Sequence, residues 1–234
     1  MIIPLASPYC DEGWDYYGHG YNWGCLCGEG KTQSPIDVAP MPFYLPIQKP
    51  ALFQFNRVSV KSIIAQYKKY LFKLVCGQDC SGFGTVTDED MNEYHVQDIT
   101  FHTPAEHKIN GKGYDMEAQI IFAAVNPGEF GGYLGISLLF YMEPGARNKF
   151  LDTLDLLNLP NLEMPQRQLQ DMANQGVGET APDGSPTIAL EDFFWVDYPD
   201  DDTADYVNNR FSGFFSYYRY QGSLTSPPCN GNSL

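Results

Sequence analysis

The chain has 234 residues, 43% of them hydrophobic and 18% charged, enough to bury one sizeable core. Its 14 lysines and arginines against 29 aspartates and glutamates leave a net charge of −15. This excludes nucleic acid, anionic membrane surfaces and sulfated polysaccharides as main partners and favours cations and basic proteins.

Abundant aromatics (16 Tyr, 15 Phe) with 22 Gly and 17 Pro point to a loop-rich β protein rather than a helical bundle. No run approaches the roughly 18 apolar residues of a membrane span, and residues 1–6 lack the basic start and long apolar stretch of a signal peptide. Six cysteines, Cys10, Cys25, Cys27, Cys76, Cys80 and Cys229, have no zinc-knuckle spacing. Their even number favours an oxidising compartment, extracellular or in the lumen of the secretory pathway.

In chain order, the aromatic, glycine-rich segment Trp14-Asp15-Tyr16-Tyr17-Gly18 to Trp23 has no period and reads as loop wrapped over a core. It leads into Gln33-Ser34-Pro35-Ile36-Asp37. Residues 59–75 alternate apolar and polar on either side of Gln66-Tyr67-Lys68-Lys69, which predicts a pair of strands.

Residues 94–122 organise the chain. Alternation around Ile99 and Phe101 predicts a strand, Thr103-Pro104 and Asn110-Gly111 predict turns, and residues 116–122 predict a second strand. Because side chains alternate with period two, Thr100 and His102 on the first strand and Gln119 on the second converge on one polar face.

Residues 132–142 form a continuous apolar run, predicted as a buried strand, and residues 148–157 a short amphipathic helix carrying Phe150, Leu151, Leu154 and Leu157. Residues 158–209 form an acidic stretch with a Gly/Pro/Ser-rich loop over 174–186. Within it, Asp200, Asp201, Asp202 and Asp205 are a candidate calcium cluster, weighed against a plain solvated acidic face because the EF-hand register is lacking. Phe193, Phe194 and Trp195 read as a contact surface. The chain closes with Tyr217-Tyr218-Arg219-Tyr220-Gln221-Gly222-Ser223-Leu224-Thr225-Ser226-Pro227-Pro228-Cys229.

Three blocks, in order, carry a close resemblance to α-class carbonic anhydrases: the Trp-x-Tyr opening with Gln33-Ser34-Pro35-Ile36-Asp37, the 94–122 unit, and the 217–229 block. The 94–122 unit resembles the family's zinc-site hairpin at Phe101-His102, Pro104-Ala105-Glu106-His107, Ile109-Asn110-Gly111-Lys112 and Glu117. The first and third family histidines are here Thr100 and Gln119. The resemblance implies a mostly β fold, a twisted and mainly antiparallel sheet with short peripheral helices, in one domain over 1–234 with 158–209 as a divergent insertion. It also implies that further family strands follow the last block, so that this sequence is a fragment, or the remainder is a separate segment, or another chain donates the missing strand.

The resemblance further places Thr225 and Glu106 as vestigial gate residues and Glu117 as the vestigial carboxylate that would hydrogen-bond a zinc-binding histidine from behind. It sets Lys68 or Lys69 where the family has a proton-shuttling histidine, and pairs Cys27 (or Cys25) with Cys229. Cys76 and Cys80 then pair locally, which leaves Cys10 for Cys25.

A catalytic zinc needs three protein ligands and an open position, and a threonine hydroxyl and an amide are poor donors to it. The expectation is therefore no zinc, no other cofactor unless calcium, and no hydrase activity. The protein is read as a non-catalytic binding or assembly module with a protein partner or self-assembly. Two alternatives stand beside it: an enzyme using a remodelled cleft of His102, Gln119, Glu117, Glu106 and Thr225, with another metal or residual carbonate dehydratase or hydrolase activity, and a storage or matrix protein. His102 and His107 are also what buried, hydrogen-bonded structural histidines look like.

Overall fold

The computed structural model describes residues 16, 23–24, 26–39, 52–68, 71–78, 80–88, 90–128, 131–154, 166–168, 182, 184–194, 196–197 and 217–229. A short helix α1 (Leu26–Glu29) precedes strands β1 (Asp37–Val38), β2 (Leu52–Phe55) and β3 (Val58–Ser59). The alternating stretch foreseen at 59–75 forms the hairpin of β4 (Ile63–Lys68) and β5 (Leu71–Cys76). Then come β6 (Gly84–Thr87), β7 (Glu93–His102), β8 (Lys108–Ile109), β9 (Met116–Gly128) and β10 (Gly131–Phe140). The remaining elements are β11 (Arg147–Asn148), helix α2 (Lys149–Thr153), β12 (Gln166–Gln168), β13 (Thr187–Ile188), a 3-10 turn at Leu190–Phe194 and β14 (Val196–Asp197).

Eight strands make one sheet in the spatial order β10-β9-β7-β5-β4-β12, with β6 pairing β7 beyond the end of β5 and β2 pairing β6. Every ladder in it is antiparallel. The register sorts the two faces. Ile99 on β7 sits opposite Ile120 on β9 and Leu74 on β5, and Ile120 sits opposite Ile136 on β10, so one apolar row crosses four strands. The next row is polar: Lys73, Thr100, Gln119 and Ser137.

The apolar face carries the core. Ile99, Leu74 and Ala118 are fully buried, and Phe122, Phe150 and Leu154 pack with them. Helix α2 is shorter than the periodicity over 148–157 foretold. It is started by the Asn148 side chain, which accepts the Leu151 N–H, and its buried residues are Phe150 and Thr153.

Two expectations are corrected here. Phe193 is not a contact surface: it is 4% exposed and its ring stacks on Phe150 with centroids 3.7 Å apart. It is held there because neighbouring Asp192, itself buried, accepts from both Arg57 guanidinium nitrogens and from the Ala189 N–H, and pairs with Lys149. Nor is β10 a buried strand. It stands at the end of the sheet order, pairs only with β9 among the described residues, and its residues are half-buried or exposed. A continuous apolar run signals apolar surroundings on both faces, and here the outer edge of the strand opens on a cavity.

The Gln33–Asp37 motif has a structural task. Strand β1 runs parallel to β8 in the 103–115 connection, and Asp37 accepts the N–H of Gly111, which sits at a left-handed φ of 73°. Two disulfides are described, Cys27–Cys229 and Cys76–Cys80, as expected. Cys10 and Cys25, the Asp200–Asp205 candidates, Trp195 and Lys69 lie outside the described residues. No helix among the described residues is long and apolar enough to cross a membrane.

Candidate functional site

Strand alternation puts Asp98, Thr100 and His102 of β7 on the face opposite the core, with Glu117 and Gln119 of β9 beside them. All five are at least nine-tenths buried, so each polar atom needs a partner. Glu117 is the anchor. One of its carboxylate oxygens accepts the backbone N–H groups of Glu106 and His107, both at 2.9 Å, and the other lies 2.6 Å from His107 Nδ1. Burial pushes the Glu117 carboxyl up, but the hydrogen bonds and charge of His107 outweigh it and hold the group down to about 2.

Gln119 is fully committed to protein partners. Its amide nitrogen donates to Glu106 at 3.0 Å and to Glu117 at 2.9 Å, and its oxygen accepts from the Thr225 hydroxyl at 2.9 Å. Thr100 donates its hydroxyl to Asp98 at 3.2 Å, and Asp98 accepts from Lys73 at 3.0 Å. His102 Nδ1 stands 3.3 Å from Glu106, while its Nε2 is buried with no hydrogen-bond partner. The Tyr16 ring packs edge-on to the His102 imidazole, centroids 6.3 Å apart. Burial, then the charge of nearby Glu106, push the Tyr16 hydroxyl well above its ordinary value.

A second line of contacts closes the site behind His107. Its Nε2 lies 2.7 Å from the Tyr220 hydroxyl, which donates to Ser34 Oγ at 2.6 Å, and Ser34 Oγ also accepts the Ser223 N–H at 3.0 Å. The second and third sequence blocks thus meet the first through side chains as well as through the Cys27–Cys229 bridge.

No family model matches the chain. Alpha carbonic anhydrase 5 of Arabidopsis thaliana is 26% identical over 221 residues, covering 91% of this chain and 64% of that protein. Dioscorin dioA3 of Dioscorea japonica is 25% identical over 223 residues, covering 89% and 63%. Among solved structures, the α-carbonic anhydrase of Photobacterium profundum superposes with a TM-score of 0.61 at 21% identity, covering 94% of this chain and 82% of that one.

The chain is α-carbonic-anhydrase-like. It spans less than two thirds of the length of the two curated relatives named.

In this carbonic-anhydrase-like site, the structure brings together Thr100, His102, Gln119, Glu106, Glu117 and Thr225, all singled out in the sequence. One imidazole, one hydroxyl already donated to Asp98 and one amide whose oxygen holds Thr225 do not make a donor set for zinc. Among the described residues there is no group of three or more His, Cys, Asp or Glu side chains placed to hold a metal ion.

The sequence reading missed Asp98, Lys73 and the Tyr220–Ser34 pair. Asp98 was findable, since it lies two residues before Thr100 on the same strand face. Ser34 and Tyr220 are 186 positions apart and carry no local signal.

Proposed function

We propose that this protein is a non-catalytic carbonic-anhydrase-like binding or assembly module, working outside the cell or in the lumen of the secretory pathway. The observation that carries this reading is that Gln119, at a position where the family resemblance puts a zinc ligand, commits its amide to Glu106, Glu117 and Thr225. An acid/base pair of Glu106 and Glu117 is disfavoured because His107 holds Glu117 ionised, so that it has no proton to give near neutrality. The two disulfides support an oxidising compartment.

Stopped-flow carbon dioxide hydration tests the reading, with zinc-supplemented protein compared against a heat-denatured sample. Equal rates are expected, and a faster native sample overturns it. The likeness to dioscorin dioA3 favours a second reading as a storage or matrix protein. Accumulation to a major fraction of tissue protein, followed by its loss when reserves are mobilised, would distinguish that role from binding.

A further inference from the structure

The connection between β8 and β9 carries Lys112 and Tyr114, and Asp115 ties the end of β10 to it. The Asp115 N–H donates to the Phe140 carbonyl at 3.0 Å, and the Met142 N–H donates to the Asp115 carboxylate at 2.6 Å. Tyr141 stands between these two anchors, so its backbone is fixed beside Tyr114.

The side chains meet in turn. The Tyr114 and Tyr141 rings lie with centroids 4.5 Å apart and planes inclined at 36°, in contact face toward face rather than edge-on. Lys112 Nζ stands over the Tyr141 ring, 4.3 Å from its centre. Tyr141 is 52% exposed, within reach of an oxidant in solution.

The neighbours also set the two phenols apart. Lys112, then Tyr114, pull the Tyr141 hydroxyl below its ordinary value against the charge of Asp115, whereas Tyr141 pushes the Tyr114 hydroxyl up. A cation beside a phenol favours the phenolate, and a phenolate gives up an electron more readily than the neutral group. Two phenoxyl radicals join through the ring carbons next to their oxygens. Radicals on separate chains must first meet by diffusion, whereas these two rings are already in contact, an arrangement that raises effective concentration by orders of magnitude.

We propose that Tyr114, Tyr141 and Lys112 form an oxidative cross-linking site, at which a haem peroxidase with hydrogen peroxide joins the two tyrosines as a dityrosine within one chain. Each tyrosine loses one electron and its phenolic proton. The two radicals form one carbon–carbon bond between ring positions ortho to the oxygens, and each of those carbons then passes its hydrogen to the oxygen, which restores both phenols. The electrons and protons reduce one hydrogen peroxide to two waters. The bond fastens the β8–β9 connection to the end of β10, and since Glu106 and His107 belong to the chain just before β8, it stiffens one wall of the polar site. This inference goes beyond the binding-module reading and stands independently of it.

The test treats the whole 234-residue protein with a haem peroxidase and hydrogen peroxide. Dityrosine fluorescence follows the reaction, and mass spectrometry of proteolytic peptides locates the bond. The expected main product is a Tyr114–Tyr141 cross-link within one chain, lighter than the two separate peptides by two hydrogens. Tyr141→Phe should lower the fluorescence at least about tenfold, because it removes one partner of the contacting pair. Tyr133→Phe and Tyr218→Phe should leave it unchanged, although those residues are themselves 37% and 45% exposed. Lys112→Gln should slow the coupling at neutral pH, and Lys112→Arg, which keeps the cation, should restore it. Lys112 and Tyr141 are both exposed, so these variants keep the fold.

The proposal is overturned if Tyr141→Phe or Lys112→Gln reacts like the parent, or if the bond maps to another pair or joins two chains. It is equally overturned if no dityrosine forms in the protein while free tyrosine in the same mixture is coupled.

Discussion

Gln119 and Thr225, 106 positions apart in sequence, are joined by a hydrogen bond of 2.9 Å from the threonine hydroxyl to the amide oxygen. The amide has one orientation available to it. Its nitrogen faces the carboxylates of Glu106 and Glu117, which can only accept when ionised, so the oxygen must face Thr225. A glutamine here therefore knits the 217–229 block to the sheet.

Replacing the two non-histidine positions should change this site from closed to metal-binding. Thr100 and Gln119 are direct cross-strand partners, and His102 lies two residues along on the same face, so Thr100→His with Gln119→His puts three imidazoles around one point. We expect the double variant to bind one cobalt(II) with tetrahedral visible absorption, at least ~100-fold more tightly than the parent. If the parent takes up one equivalent with the same spectrum, the account of the site fails.

The polar row was legible in the sequence because period-two alternation needs only local residues: Thr100, His102 and Gln119 could be placed on one face from the strand pattern alone. The same alternation misjudged β10, whose apolar residues on both faces read as burial, since a sequence window does not report where a strand stands in the sheet. Phe193 was misread for a related reason. It follows two acidic residues, and only the tertiary pairing of Asp192 with Arg57 and Lys149 turns that acidic turn inward. Ser34, Tyr220 and His107 form a chain whose members come from three distant blocks, and nothing local announces it.

Glu117 should set the acid limit of the fold. Its carboxyl is fully buried and held down to about 2, against an ordinary value of 4.5. The unfolded chain therefore binds that proton more readily than the folded one. Its contribution is present in full above about pH 4.5 and is lost as pH falls toward 2. The difference corresponds to about 3 kcal/mol. Urea midpoints measured from pH 6 to pH 2.5 should fall across that window. Glu117→Gln should be less stable than the parent at pH 6 and show a shallower fall, and parallel curves would refute the assignment.

Asp192 offers a test of why the Leu190–Phe194 turn packs inward. Its carboxylate, 1% exposed, is pushed up by burial but held below its ordinary value by Arg57, then Lys149 and the Ala189 N–H. Asp192→Ala leaves two cations facing a buried gap, a change that costs about 3 to 5 kcal/mol. For a domain of this size that is a fall in Tm of roughly 6 to 20 °C. Near-ultraviolet circular dichroism should also lose intensity, because the Phe193–Phe150 stack depends on the turn. An unchanged melting curve would show that the acidic turn is solvated after all.

Reduction of Cys27–Cys229 should act mainly on the unfolded chain. The bridge spans 202 positions and joins α1 to the end of the 217–229 block, so it closes a loop holding every described strand. In the chain-entropy view such a closure is worth roughly 5 kcal/mol, while the Cys76–Cys80 bridge, spanning 4 positions, closes a far smaller loop. Cys27→Ala with Cys229→Ala should therefore lower the urea midpoint far more than Cys76→Ala with Cys80→Ala. The larger loss should be accompanied by faster hydrogen exchange at the Ser223 N–H, which the bridge helps hold on Ser34. Equal losses from the two pairs would show that the long bridge acts through local packing around Cys229, which is 3% exposed, rather than through the loop it closes.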